Sequence, residues 1–228
     1  MKKIFHLLYI STLAISTFST ASATVLINEI DYDQGGTDTA EFIELFNSGS
    51  DDVNLDNYHL DLINGGLINT PTYRSFDLAG YSLAANSYFV ICGNSSMVMN
   101  CNFNAGINSN LIQNGSPDGI ALYDGSDLID AITYEGVIAG VTEGSGGALA
   151  DQNSGIMSIG RLLDSQDTNN NAADFEYGCI TPGTTNIAGS GDCSIAAINT
   201  VSLPSIIWLF ASGLIGVVAS TRERKNVP

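Results

Sequence analysis

Positive charge is scarce wherever a folded domain could use it. The 228 residues hold seven Lys and Arg against 24 Asp and Glu. Five of the seven stand at the ends: Lys2, Lys3, Arg222, Arg224 and Lys225. Between residues 24 and 200, only Arg74 and Arg161 stand against 23 acids, a net charge of −21. Such a surface repels a phosphate backbone, which argues against nucleic-acid binding. It suits a solubilising face on an exported protein, or attraction for divalent cations and basic partners.

Histidine is scarcer still. His6 lies near the start, and His59 sits alone between Tyr58 and Leu60. A Ser/His/Asp or Cys/His site would have to be built on His59. A single histidine flanked by apolar residues on a strand reads instead as a packing or surface residue. No Gly-x-Ser-x-Gly elbow or phosphate loop occurs between a strand and a helix. No CxxC-like pair supplies the spacing of a four-thiolate metal site. Helical periodicity is missing before residue 200, and so is any internal repeat. These absences argue against an enzyme.

Both ends read as addresses. Lys2 and Lys3 precede an apolar run from Ile4 to Phe18, and Ala21-Ser22-Ala23 is a small-x-small cleavage site. Residues 1–23 are expected to be a secretory signal peptide, cut by signal peptidase between Ala23 and Thr24. At the other end, Val201 to Ala219 spans 19 residues, roughly 28 Å as a helix. That nearly crosses a hydrocarbon core of about 30 Å. The basic residues after it place the C-terminus in the cytoplasm and the domain outside. Val201, Leu203, Pro204, Trp208-Leu209-Phe210, Ser212-Gly213-Leu214 and the closing Arg222, Arg224 and Lys225 resemble the PEP-CTERM family of sorting signals in its Val-Pro-Leu-Pro variant. Ser202 stands where that variant has Pro, and Glu223 interrupts the basic run. The resemblance implies processing by an exosortase-like membrane peptidase, in a Gram-negative bacterium that makes exopolysaccharide.

Between the ends, short apolar β-branched runs alternate with turn formers. Thr24 to Asp33 and Ala40 to Asn47 flank Gln34-Gly35-Gly36-Thr37-Asp38. Tyr58 to Ile63, Tyr88 to Cys92 and Ser158 to Leu162 read as strands, and Gly119 to Tyr123 with Leu128 to Tyr134 is the clearest hairpin. Residues 93 to 118 read as a long irregular excursion, and Gly136 to Gly155 as a mobile loop. The pattern is that of an all-β, antiparallel β-sandwich. The expected layout is a domain over 24–187, a linker over 188–200, a transmembrane helix over 201–221 and a basic tail over 222–228.

The ordered set Ile27-Asn28-Glu29-Ile30, Glu41-Phe42-Ile43-Glu44-Leu45-x-Asn47, Val53-x-Leu55-x-x-Tyr58-x-Leu60 and Tyr88-Phe89-Val90-Ile91 resembles the lamin-tail domain (LTD) family. The likeness continues through Gly119-Ile120, Ile129-Asp130, Tyr134, Ser158-Ile159-Gly160-Arg161, Phe175 and Thr181-Pro182-Gly183 to Asn186. It implies an immunoglobulin-like sandwich of the exported bacterial type.

Four cysteines lie in the exported part. Three pairings are possible, and proximity favours Cys92–Cys101 and Cys179–Cys193. Two acidic stretches carry calcium-type oxygen donors: Glu29, Asp31 and Asp33, with Asp38 and Glu41 nearby, and the loop with Asp164, Asp167, Asn169 and Asn171. The plainer reading of both is Asx turns and solvated surface. Calcium is the one cofactor these donors suggest. The second strand, Phe42 to Asn47, poses a burial problem: whichever face turns inward carries a polar side chain. A cation or a set of N–H donors should meet those side chains, and Arg161 is expected to pair with Glu44 or Glu29, against the alternative of an unpaired surface arginine.

The expectation is an exported, non-catalytic binding or adhesion module of the cell surface or extracellular matrix. It would be tethered or sorted by its C-terminal helix. Its partner would be an unknown surface protein or exopolysaccharide. The alternatives are a self-associating matrix protein and a metal-dependent hydrolase acting on phosphoesters through the acidic clusters.

Overall fold

The computed structural model describes residues 24–69, 72–189 and 193. The signal peptide with Ala23, the sorting motif, the transmembrane segment and most of the expected linker lie outside the described residues. Among the described residues no helix is long and apolar enough to cross a membrane.

The chain runs through β1 (Val25–Asp31), β2 (Phe42–Asn47), β3 (Val53–Asn54), β4 (Tyr58–Asn64) and β5 (Thr72–Asp77). It continues with β6 (Ser82–Leu83), β7 (Tyr88–Cys92), β8 (Cys101–Asn104), β9 (Asp118–Asp124) and β10 (Asp127–Tyr134). It ends with β11 (Met157–Gly160), the single-turn helix α1 (Asn171–Asp174), β12 (Glu176–Cys179) and β13 (Ile187–Ala188). One sheet has the order β13-β12-β11-β1-β2-β7-β8, the other β10-β9-β4-β5, and β3 with β6 forms a small ribbon. All pairings between these strands are antiparallel except β7 with β8. The layout is nearly all-β and consistent with an immunoglobulin-like β-sandwich.

Local sequence accounts for the pairings. Asp124 and Asp127 face each other across the Gly125-Ser126 turn, with Gly125 at φ +60°. That left-handed backbone is what a two-residue hairpin turn needs, and glycine adopts it without steric cost. Period-2 alternation then sends Leu60, Leu62, Ile120, Leu122 and Ile132 inward to meet Ile27, Ile30, Ile43 and Leu45, all fully buried. Each such side chain stabilises the fold by roughly 1.5–3 kcal/mol.

The excursion expected between residues 93 and 118 contains a strand. The Cys92–Cys101 disulfide, with Cα atoms 5.8 Å apart, turns the chain back beside β7. There β8 forms a parallel pair. At the far end β13 reaches Ala188, one residue past the expected domain boundary.

The burial problem of the second strand has a definite answer. Ile43 and Leu45 face the core, and the polar residues flanking them on that face find donors and acceptors. The Glu41 carboxylate accepts the Leu111 and Ile112 N–H groups at 2.6 and 2.9 Å. The Asn47 amide donates to the Asp51 and Leu83 carbonyls. On the opposite face Glu44 lies across from Glu29 of β1. Glu44 accepts from the Asn28 amide and the Gly183 N–H. Glu29 accepts from Ser158 Oγ and from the N–H and hydroxyl of Thr181.

Arg161 therefore does not pair with Glu44 or Glu29, contrary to expectation. It leaves the end of β11 with its N–H on the Asn28 carbonyl and its Nε on the Ile27 carbonyl. The guanidinium then crosses to the other sheet and meets Asp130 of β10 at 3.0 Å. The physical reason is the β-bulge between Ile27 and Glu29. It lets β1 present carbonyls to the arginine on one side while Glu29 and Glu44 face the loop around Thr181, which supplies neutral donors.

Candidate functional site

Two concentrations of charged groups among the described residues bear on function, and a cavity opens at the second. The first surrounds Arg161, which is fully buried. Its guanidinium touches Asp130, lies 3.3 Å from Asp174 and 3.6 Å from Asp167, and stacks 4.4 Å above the Phe175 ring. Asp130 also accepts the Ile27 N–H at 2.6 Å, so it fastens β1 to β10. Burial pushes Asp130 up to about 6, although Arg161 works the other way. Asp174 is buried as well, but donors from Thr168 and Asn170 together with Arg161 hold it below the usual carboxylate range. Asp130, Glu143 and Asp167 present oxygens within 4.8 Å of one another. A metal ion there would have to share Asp130 with a guanidinium that already supplies the positive charge. This centre is a structural clasp.

Most of the expected calcium ligands of the 164–171 loop meet partners within the protein. Asp164 accepts from the Asn28 amide, the Tyr88 hydroxyl and the Asn186 N–H. Asp167 caps the N–H of Asn169 in an Asx turn. Asn171 points inward, tying the Ala131 carbonyl to the Thr133 N–H. In the first stretch Glu29 is occupied as described, and Asp33 accepts from the Asn153 amide. Asp38 accepts from the Gln34 N–H and the Asn114 amide.

Asp31 is different. It is fully buried, and neither carboxylate oxygen makes a hydrogen bond. The Gln34 amide lies beside it without a formed bond and lowers its proton affinity, while the Asp151 carboxyl, close enough to share a proton with it, raises that affinity. Burial drives that affinity well up, and the Asp151 charge adds to the rise. Asp151 is itself raised to about 6 by burial, against N–H donors from Tyr32, Gln152 and Asp33. A carboxylate without donors at 0 % exposure is costly.

Asp31 and Gln34 form the floor of a cavity of about 240 Å³. Phe42, Val98 and Ile180 make apolar walls. Met97, Met99 and Ile156 stand at the rim, 55, 54 and 55 % exposed. Both disulfides brace this cleft. Cys92–Cys101 closes the loop that carries Met97 to Met99, and Cys179–Cys193 places Cys193 in the wall. The pairing is the one that sequence proximity favours. Changing Cys92 and Cys101 together to Ser is expected to cost about 2–3 kcal/mol of stability, read as a lower urea midpoint. An unchanged midpoint would show that the loop closure contributes nothing.

The sequence reading missed this cleft. Its signal was present: Met97-Val98-Met99 is an apolar triplet in a polar Asn/Ser stretch between two cysteines. Asp130 stood in the family-like Ile129-Asp130 pair, but nothing local marked it as the partner of Arg161.

A comparison with curated proteins finds no match. Among solved structures, a DUF4876 family protein from Bacteroides thetaiotaomicron VPI-5482 is similar at 14 % identity and a TM-score of 0.48, over 81 % of this chain and 75 % of that one. The family model described as Lamin Tail Domain matches residues 19–136. Beyond that match, β11 to β13 complete the same sheet. The match spans more than half of the 228 residues, and the chain belongs to the Lamin Tail Domain family.

Proposed function

We propose that this protein is an exported, non-catalytic binding module of the cell surface or matrix, and that it engages its partner through the cleft over Asp31. The observation that carries the reading is the cleft itself: an apolar, partly exposed rim above a buried carboxylate that has no bonded donor among the described residues. Groups that converge on an opening without satisfying one another are poised for a ligand. Export is supported by the signal-peptide pattern and by two disulfides, which persist in oxidising compartments. The C-terminal segment, with its likeness to PEP-CTERM signals, would hold the chain at the membrane until an exosortase-like peptidase releases it.

The test is site-specific photo-crosslinking of the full chain in the cells that make it. A photoreactive phenylalanine replaces Met97 or Ile156 at the rim, or Leu128 on β10 as a remote control. Adducts are expected at positions 97 and 156 and not at 128. Digestion with a protease or a polysaccharide lyase then classes the adduct as protein or glycan. Equal adducts at all three positions, or none at the rim, overturn the reading. Turnover of phosphoesters by the purified chain with Mg²⁺ or Ca²⁺ would favour the hydrolase alternative instead.

A further inference from the structure

The chemistry of the cleft narrows its occupant, on the reading that the cleft is a binding site. Its floor holds acceptors. Burial favours the protonated form of Asp31 while the cleft is empty; a cation that displaces that proton meets a carboxylate with about four lone-pair sites and no donor, of which the neighbouring Gln34 amide, held in place by its Oε1 on the Ala40 N–H, can take at most one. The Asp151 carboxyl beside Asp31 makes the site more negative. The domain around it carries −21 between residues 24 and 200. The field therefore selects for a cation. The walls, by contrast, are apolar. The matching ligand has a hydrocarbon stem and a positively charged tip, which is how Lys and Arg side chains divide between apolar surface and a polar partner.

The rim sets the size of the partner. Met97, Met99 and Ile156 expose apolar surface beyond the mouth, more than a small free amine would cover. Methionine is flexible and polarisable, and it adapts to varied side chains on a docked chain. A polysaccharide would leave that rim uncovered and the floor without a cation.

We infer that the cleft receives a lysine or arginine side chain of a partner polypeptide, with its charged end on Asp31 and its flanking residues on Met97, Met99 and Ile156. Restoring a charge partner to Asp31 supplies the specificity, and covering the rim excludes water from the pair. Asp31 contributes acceptors to the ligand, and the Gln34 Nε2 beside them, without a partner among the described residues, is a donor in reserve.

The test uses the full chain and a fluorescent Gly-Leu-Lys-Leu-Gly peptide, read by anisotropy. The Arg version, the Nε-acetylated lysine version and free n-butylamine are run beside it. Saturable binding of the Lys and Arg peptides is expected, with acetylation weakening it at least tenfold. Asp31→Asn, nearly isosteric and without an ionisable group, is expected to weaken binding at least tenfold without lowering the unfolding midpoint. The acetylated peptide on the wild-type chain gives the same answer without any substitution. Equal binding of acetylated and free lysine, equal binding by Asp31→Asn, or no saturable binding overturns the inference. So does n-butylamine binding as tightly as the peptide, because a polypeptide would then add nothing. Rim crosslinks that persist while the lysine peptide fails would sink this inference alone. Loss of the rim crosslinks would sink the reading beneath it.

Discussion

Replacing Arg161 with Met is expected to lower the stability of the domain by about 3–5 kcal/mol, the usual cost of breaking one side of a buried ion pair. For a chain of this size that is roughly a 10 °C fall in unfolding temperature. The size of the effect follows from what remains behind. Asp130 is 1 % exposed, and without Arg161 it keeps the N–H groups of Ile27 and Ala131 and the neighbouring Glu143 carboxyl, none of which carries positive charge. Asp174 and Asp167 lose the same neighbour. The Ile27 and Gln166 carbonyls also lose their donor. Two connections fail together, because Arg161 holds the Ile27 carbonyl of β1 and Asp130 of β10 at once. The double variant Arg161→Met/Asp130→Leu is expected to recover most of the loss, since it removes the stranded charge. If Arg161→Met alone leaves the midpoint unchanged, the clasp is not a source of stability.

That the sequence showed Arg161 needing an acid, and not which one, has a physical cause. Strand alternation and turn chemistry are local, so the two faces of β2, the β9–β10 hairpin and the proximity pairing of cysteines could all be read along the chain. The partner of Arg161 depends on how two sheets sit against each other, with Asp130 and Arg161 31 positions apart in the chain. It depends as well on a one-residue bulge at Asn28 that no pattern announces. The cleft failed to show itself for a related reason. Asp31 looked like one of three equivalent carboxylates on a strand face. The fold then gave Glu29 three donated hydrogen bonds, gave Asp33 an amide, and left Asp31 with none. A sequence shows which groups want partners, but not which of them go without.

The same burial makes stability depend on pH in an unusual direction. In the folded chain Glu29 and Glu41 are pushed up to about 7, Glu143 to about 8 and Asp151 to about 6, in each case chiefly by burial. The unfolded chain titrates these groups near 4. A carboxyl whose folded value is raised contributes stability that is fully present below the unfolded value and is lost as pH rises through the folded one. Between about pH 4.5 and 8 the folded state binds more protons, so the urea midpoint is expected to fall as pH rises across that window. For Glu29 alone, the rise from 4.5 to about 7 corresponds to on the order of 3 kcal/mol. Glu29 and Glu44 face each other across the strand pair and cannot both ionise cheaply, so their contributions overlap and do not add. Asp174 runs the other way. Its lowered value gives stability that is lost as pH falls below about 4. The optimum should therefore lie near pH 4–5, well below neutrality. A net charge of −17 would also favour acid through reduced self-repulsion. The variant Glu29→Gln separates the two causes. If buried carboxyls set the slope, this variant flattens it, because its side chain keeps an acceptor for Thr181 and no longer has a proton to lose. If bulk charge sets it, one acid fewer changes the slope hardly at all. A midpoint that rises from pH 5 to pH 8 would contradict both causes, and would mean that the donors around Glu29, Glu41 and Asp151 hold them ionised against burial.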